Sequence, residues 1–309
     1  MDNKKISRRE ALKYMGVFCA GTALASTGIG AMTSCSGSRT KRLVFYFTAT
    51  GNSLYVAREI AGEKGELRSI SQEIHYPSPV YEAEEIGFVF PTYVHLAPAM
   101  VQDFLAKSTF KADYLFAVAT FGAHHGDVVE KWDALASEHG YHFNYISSVL
   151  MVDNALNIFD MDQEKAIDKH IPEQMEKILA DINSRKDYHE PVSEMERNLA
   201  VSYKQMTGMD QVKPVLGRAE KYVIVTDACV ACGICKSVCP HGSWSIEDRA
   251  VPGGECEGCM ACVHNCPQKA ITLTPSMPGF PAERNPNARY RNPNVSLADI
   301  IQANQQRSR

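Results

Sequence analysis

Cys229-Val230-Ala231-Cys232-Gly233-Ile234-Cys235-Lys236-Ser237-Val238-Cys239-Pro240 is followed by Cys256-Glu257-Gly258-Cys259-Met260-Ala261-Cys262-Val263-His264-Asn265-Cys266-Pro267. The spacing Cys-x2-Cys-x2-Cys-x3-Cys-Pro thus occurs twice, each position displaced by the same offset, which marks an internal duplication. The chain has 10 cysteines, and only Cys19 and Cys35 lie outside these runs. Such clustering argues for a local metal site, not for disulfides spread through a fold. A zinc site closes with four ligands and has no use for duplicated runs of four. Thiolates at this spacing hold cubane iron–sulfur clusters. Ala231, Gly233, Gly258 and Ala261 are small enough to let backbone amides approach the sulfurs. Pro240 and Pro267 end each turn without needing a donor. Trp244 stands where the duplicate has Ile271 and is read as an apolar cover over a cluster.

The duplicated run resembles the bacterial two-cluster ferredoxins. That resemblance implies exchanged fourth thiolates. Cys229, Cys232, Cys235 and Cys266 would hold one [4Fe–4S] cluster, and Cys256, Cys259, Cys262 and Cys239 the other.

Well upstream, the apolar run Leu43-Val44-Phe45-Tyr46-Phe47 reads as a strand. It meets Thr48-Ala49-Thr50-Gly51-Asn52-Ser53 and then a helical pattern through Leu54, Val56, Ala57 and Ile60. A strand, a hydroxyl-rich tight loop and a helix start form an anion site, because loop and helix-terminal N–H groups converge there. The loop has no lysine, which excludes a triphosphate loop of the Walker type. Two more strand runs, Ile86–Phe90 and Tyr114–Ala119, each lead into a polar loop. Strands alternating with helices at this spacing predict an α/β fold with a doubly wound parallel sheet and a ligand at the carboxyl ends of its strands.

Over roughly residues 41 to 155 the chain resembles flavodoxins. The resemblance implies FMN, its phosphate held by Thr48, Ala49, Thr50, Gly51, Asn52 and Ser53. The ring would lie among Thr92, Tyr93, Thr120, Phe121, Gly122 and Gly126, with Tyr93 stacking on it. His124 and His125 read as solvated turn residues. Asp153-Asn154 matches a short motif of two-domain flavodoxin–ferredoxin proteins, and the chain as a whole resembles that family.

Between these parts, Gln163 to Arg185 carries a helical stripe of Ile167, Ile171, Met175, Ile178, Leu179 and Ile182, with a break expected at Pro172. Val192 to Met206 is a second helix with Met195, Leu199 and Met206 as its apolar face, and Gly208 to Arg218 a linker. At the N-terminus, Ser7-Arg8-Arg9 and Lys13 precede an uncharged stretch to Arg39, the layout of an export signal. The Arg8-Arg9 pair resembles a twin-arginine signal, a route that carries folded, cofactor-loaded protein. Met32-Thr33-Ser34-Cys35 resembles a lipoprotein box, making Cys35 a candidate lipid anchor.

The expected organisation is a signal segment over 1–35, a flavodoxin-like FMN domain over 41–190, a helical connector and linker over 191–220, a small α+β ferredoxin domain over 221–275, and a tail over 276–309. The net charge of −4 gives no reason to expect a nucleic-acid partner. No Gly-x-Gly-x-x-Gly follows a strand, so direct use of a nicotinamide dinucleotide is not indicated. The expected function is electron transfer between FMN and two [4Fe–4S] clusters in an exported protein, periplasmic or membrane-anchored. It would serve a redox partner protein or a membrane electron-transfer complex. Two alternatives stand beside it: a flavin-dependent reductase acting on a bound substrate, and a non-catalytic redox sensor docked to a membrane complex.

Overall fold

Parallel strands covered on both faces read as unbroken apolar runs, and such runs build the central sheet here. The structure, a computed structural model, describes residues 40–207, 218–274 and 283–305. The signal-like segment with Arg8, Arg9, Cys19 and Cys35, and all of the linker expected from Gly208 to Arg218 except Arg218 itself, lie outside the described residues.

In chain order the first part comprises β1 (Arg42–Tyr46), α1 (Asn52–Ala61), β2 (Glu66–Ser69), α2 (Ile70–Glu73), β3 (Val80–Glu82), β4 (Glu85–Pro91), α3 (Ala99–Lys107), β5 (Thr109–Lys111), β6 (Tyr114–Phe121), α4 (Val128–Glu138) and β7 (Tyr145–Leu150). It continues with α5 (Met161–Glu164), α6 (Ile171–Asn183), β8 (Tyr188–His189) and α7 (Glu194–Thr207). Six strands form one parallel sheet in the order β2-β1-β4-β6-β7-β8, while β3 and β5 pair separately. The first five strands of that sheet follow the flavodoxin-like order, whose topological switch point lies between β1 and β4. The loops after β1, β4 and β6 therefore meet at one edge, where a ligand crevice belongs.

The second part is a duplicated unit. Strand β9 (Val223–Val225), α8 (Ile234–Ser237), β10 (Trp244–Ile246), β11 (Ala250–Pro252), α9 (Ala261–Asn265) and β12 (Ile271–Leu273) follow in order. Strand β9 pairs antiparallel with β12, and β10 with β11. The chain then returns along the first part as a strap that ends in α10 (Leu297–Asn304), started by a capping box between Ser296 and Asp299.

The described residues from Thr40 onward form one compact unit. The apolar core of the sheet, with Phe45, Phe88, Phe104, Trp132 and Phe143, extends without a break to Val238, Cys259 and Ala261 and to Val295, Ile300 and Ala303 of the strap. A second core joins Leu156 and Met161 to Trp244, Val263, Ile271 and Tyr290. Trp244 and Ile271 are thus equivalent core positions of the duplication.

Two sequence expectations change. The helix expected from Gln163 to Arg185 is two helices, α5 and α6. The break falls before Pro172, which sits in the first turn of α6, where its missing N–H costs nothing. Lys169 turns inward at the break to pair with Glu164 and to donate to Gly122 O, and Ile167 is left 51% exposed. In α7, Met195 is 60% exposed and Glu196, at 7%, takes the buried position. A carboxylate wins there because it has donors to meet, as described below.

Candidate functional site

Cluster-binding turns need left-handed residues so that successive amides point inward. Ala231 (φ 52) and Gly258 (φ 65) occupy equivalent places in the two runs, as do Gly233 (φ 80) and Met260 (φ 57). Met260 accepts a conformation its duplicate gives to glycine. The cysteines ring two separate concavities. One is lined by Cys229, Cys232, Cys235 and Cys266. The other is lined by Cys239, Cys256, Cys259 and Cys262. Each run therefore sends its fourth cysteine to the other run's site.

Backbone N–H groups reach the sulfurs in matching fashion. Ser243 N donates to Cys239 Sγ at 3.4 Å and Ala270 N to Cys266 Sγ at 3.3 Å. Ala250 N and Gly258 N donate to Cys229 and Cys256 at 3.3 Å. Burial pushes the Cys235 thiol up to about 12 and Cys256 up to about 11, and raises Cys259 and Cys262 well above the ordinary thiol value. A bare thiolate is disfavoured in such surroundings, and cationic iron offsets that cost. The donor set and the amides fit iron–sulfur clusters. Among the described residues no three metal-ligating side chains converge on a single ion.

The loop between β1 and α1 turns at Gly51 (φ 102), the N-cap of a helix with no side-chain cap and no acidic residue in its first turn. Its N-terminal amides are thus open to an anion. A small cavity of ≈ 50 Å³ lies against it, lined by Thr48, Ala49, Thr50, Asn52, Ser53, Thr92, Tyr93, Thr120, Phe121, Gly122, Asp153 and Asn154. Ser53 and Thr120 share a hydrogen bond of 2.9 Å, and Asn154 Nδ2 donates to Thr50 Oγ1 at 2.7 Å. Two expected residues stand outside this lining. Gly51 turns its Cα toward the strap and donates its N–H to Thr48 Oγ1, and Gly126 N donates to Glu196 Oε2 at 2.7 Å.

A larger cavity of ≈ 410 Å³ shares Thr92, Tyr93, Asp153 and Asn154 with the small one. Its walls include His95 and His124 on one side and Cys239, Cys256, Cys259 and Cys262 on the other. Buried polar atoms without a hydrogen-bond partner include Thr92 Oγ1, Tyr93 Oη, His95 Nδ1 and His125 Nδ1. Thr92, Tyr93 and His95 line the larger cavity, and their three orphaned atoms are what a bound polar ring would satisfy. Tyr93 packs edge-on against Phe47, and burial first, then the nearby Cys259, Glu257 and Cys256, raise its pKa well above the ordinary value.

Residues 221–274 match the family described as the 4Fe-4S dicluster domain. Over 60 residues the chain is 32% identical to a ferredoxin of Pyrobaculum islandicum, a match covering 18% of this chain and 56% of that one. The chain thus spans about half the length of the curated relative it matches. Among solved structures, a putative flavoprotein of Bacteroides uniformis is 17% identical, with a TM-score of 0.30, and covers 37% of this chain and 92% of its own. A flavodoxin, WrbA-like protein of Agrobacterium tumefaciens is 14% identical, with a TM-score of 0.27, over 54% of this chain and 98% of its own. At these scores the likeness adds nothing to the strand order above. The chain joins a flavodoxin-like α/β fold to a ferredoxin-like 4Fe–4S module.

Several residues that secure the junction carry no sequence motif. Glu257, 4% exposed, lies beside Cys256 and accepts from Met100 N at 2.8 Å and Ala99 N at 3.2 Å. It supplies the cap that α3, entered through Pro98, lacks. His241 Nε2 bonds the same carboxylate at 3.1 Å. His264 Nε2 bonds Asn154 O at 2.8 Å and its Nδ1 accepts from Tyr290 N at 3.0 Å, which fixes the tautomer. Burial holds this ring neutral, with its pKa lowered to about 4. Of His124 and His125, both expected to be solvated, only His124 is exposed. His124 bonds Glu196 at 3.0 Å, and His125 is buried against Phe121. Burial works against ionisation of Glu196, but the bonds from His124 and Gly126 N–H bring its pKa below the usual value. The missing cap on α3 was the only sequence signal for Glu257, and nothing in the sequence singled out Glu196.

Proposed function

We propose that this chain is an exported iron–sulfur flavoprotein that passes electrons between FMN and two [4Fe–4S] clusters. The observation that carries the reading is the shared wall. Thr92, Tyr93, Asp153 and Asn154 border both the cavity at the anion loop and the cavity closed by Cys239, Cys256, Cys259 and Cys262. FMN supplies exchange between two-electron and one-electron chemistry, and the clusters accept single electrons.

In this reading the N–H groups of the first loop and of α1 hold the phosphate, helped by Thr48, Thr50 and Ser53. Thr92, Tyr93, Thr120, Phe121 and Gly122 border the ring. The cluster of Cys239, Cys256, Cys259 and Cys262 is the inner one. The site of Cys229, Cys232, Cys235 and Cys266 is the outer one, beside Val230, which is 55% exposed. Glu257 and His264 fix the module by buried bonds, so packing, not a loose linker, sets the separation of the redox centres. A redox partner protein or a membrane electron-transfer complex would meet the outer site. Arg8 and Arg9 would direct folded export and Cys35 would carry a lipid anchor. Among the described residues no helix is long and apolar enough to cross a membrane.

Anaerobic purification with cofactor extraction tests the composition. One FMN and about eight irons per chain, with matching acid-labile sulfide, are expected. Stoichiometric zinc without sulfide defeats the cluster assignment, and an extract free of flavin defeats the FMN assignment. Stopped-flow reduction then tests the relay. Flavin-to-cluster transfer must be independent of protein concentration, and second-order transfer refutes it.

A further inference from the structure

An anion loop works by turning its N–H groups to one side, so its carbonyls face the other and need donors there. Here three consecutive carbonyls find them, all in the cluster module or the strap. Asn304 Nδ2 donates to Thr48 O at 2.9 Å, Asn265 Nδ2 to Ala49 O at 3.4 Å, and Asn292 N to Thr50 O at 2.8 Å. The Asn52 side chain is held at both ends. Its Nδ2 donates to Val152 O at 3.0 Å, and its Oδ1 accepts from Tyr290 Oη at 2.6 Å and Asn292 Nδ2 at 3.2 Å.

The fit leaves no slack. A Cβ on Gly51 would stand 2.9 Å from Val295 Cβ and 3.0 Å from Asn292 Cβ. The strap is anchored in turn. Ser69 Oγ donates to Ala303 O, Ser71 Oγ donates to Asn304 Oδ1, and Arg58 pairs with Asp299. Each donor to the loop is neutral, so none competes as a cation for an anion on the opposite face.

We infer that the cluster module and the C-terminal strap hold the phosphate loop in its anion-binding conformation, with Tyr290, Asn292 and Asn304 as positioning residues for the flavin phosphate. This rests on the flavin reading above. Affinity for the phosphate end of the ligand is then a property of the whole chain and not of the flavodoxin-like part alone.

The test is a titration of flavin-free, cluster-loaded full-length protein with FMN and, separately, with riboflavin, which lacks the phosphate. Flavin fluorescence reports binding. Tyr290→Phe removes the hydroxyl bond to Asn52 and keeps the ring. Asn304→Asp replaces the donor to Thr48 O with an acceptor. Tyr290→Phe is expected to raise the Kd for FMN about fivefold, the factor for one neutral hydrogen bond, and Asn304→Asp by more, since its Nδ2 also donates to Val238 O. Both are expected to leave the Kd for riboflavin unchanged. Should Asn304→Asp fail to fold, Tyr290→Phe carries the test. Unchanged FMN affinity, or equal weakening of FMN and riboflavin, overturns the inference and leaves the flavin reading standing. A parent protein that binds neither ligand overturns the flavin reading itself, and the inference with it.

Discussion

Replacing Glu257 by glutamine should open the junction between the two parts at one identifiable place. The carboxylate accepts from Ala99 N and Met100 N, the first amides of α3, which have no partner within their own helix. Glutamine keeps the shape and one acceptor oxygen but presents an NH₂ group to the second amide. Hydrogen bonds to a charged group contribute roughly 1.5–3 kcal/mol each. A negative charge at a helix N-terminus adds about 0.3–2 kcal/mol, the upper end applying to buried sites. Loss of one bond and the charge comes to about 2–5 kcal/mol. Because 1.4 kcal/mol is roughly a factor of ten, local exchange should quicken by at least about 30-fold. Amide hydrogen exchange of the cluster-loaded chain, followed by mass spectrometry over Ala97–Phe104, reads this directly. Unchanged exchange at Ala99 and Met100 refutes the argument. So does faster exchange spread evenly over the chain, which would mean global destabilisation and not a lost cap.

Three further outcomes are expected. Cys239→Ala should remove the cluster of Cys256, Cys259 and Cys262 and spare that of Cys229, lowering iron from about eight to about four per chain; damage confined to the Cys229 site would break the crossover assignment. The Arg58 bond lowers the pKa of Asp299 to about 2 from an ordinary 3.8, burial opposing and the Ser296 bonds assisting. A depressed carboxylate stabilises above its unfolded pKa, so strap docking should be constant above about pH 4 and weaken as pH falls from there through about 2. Asp299→Asn should flatten that dependence in hydrogen exchange of α10, and an identical profile in the variant would exclude the ion pair as its source. Arg8→Lys with Arg9→Lys should leave precursor in the cytoplasm, and unchanged processing on fractionation would point to a different export route.

The strap shows why some of this architecture could not be read in advance. Residues 288–305 look like a polar tail, rich in asparagine and ending in a short helix capped by Ser296. Yet Tyr290, Asn292 and Asn304 are buried beneath the anion loop. Asparagine in a sequence signals a turn or a cap, and only a facing row of carbonyls makes it an internal donor. Met195 and Glu196 illustrate the same limit. Periodicity assigns the core to the apolar residue, and the donors that bury Glu196, Gly126 N and His124, lie on a distant loop.

By itself the sequence determined whatever depends on local order. The doubled cysteine spacing sets the metal chemistry, because a thiolate's place along a tight turn is a matter of a few residues. The unbroken apolar runs Leu43–Phe47, Ile86–Phe90 and Tyr114–Ala119 set a parallel sheet, since strands covered on both faces must be apolar throughout. Tertiary structure alone decided the junction. The Glu257 cap on α3, the His264 bond to Asn154 O and the donors beneath Thr48, Ala49 and Thr50 join residues far apart in the chain. A buried polar group is stable only where its partner stands, and the identity of one residue carries no record of where the chain will bring the other.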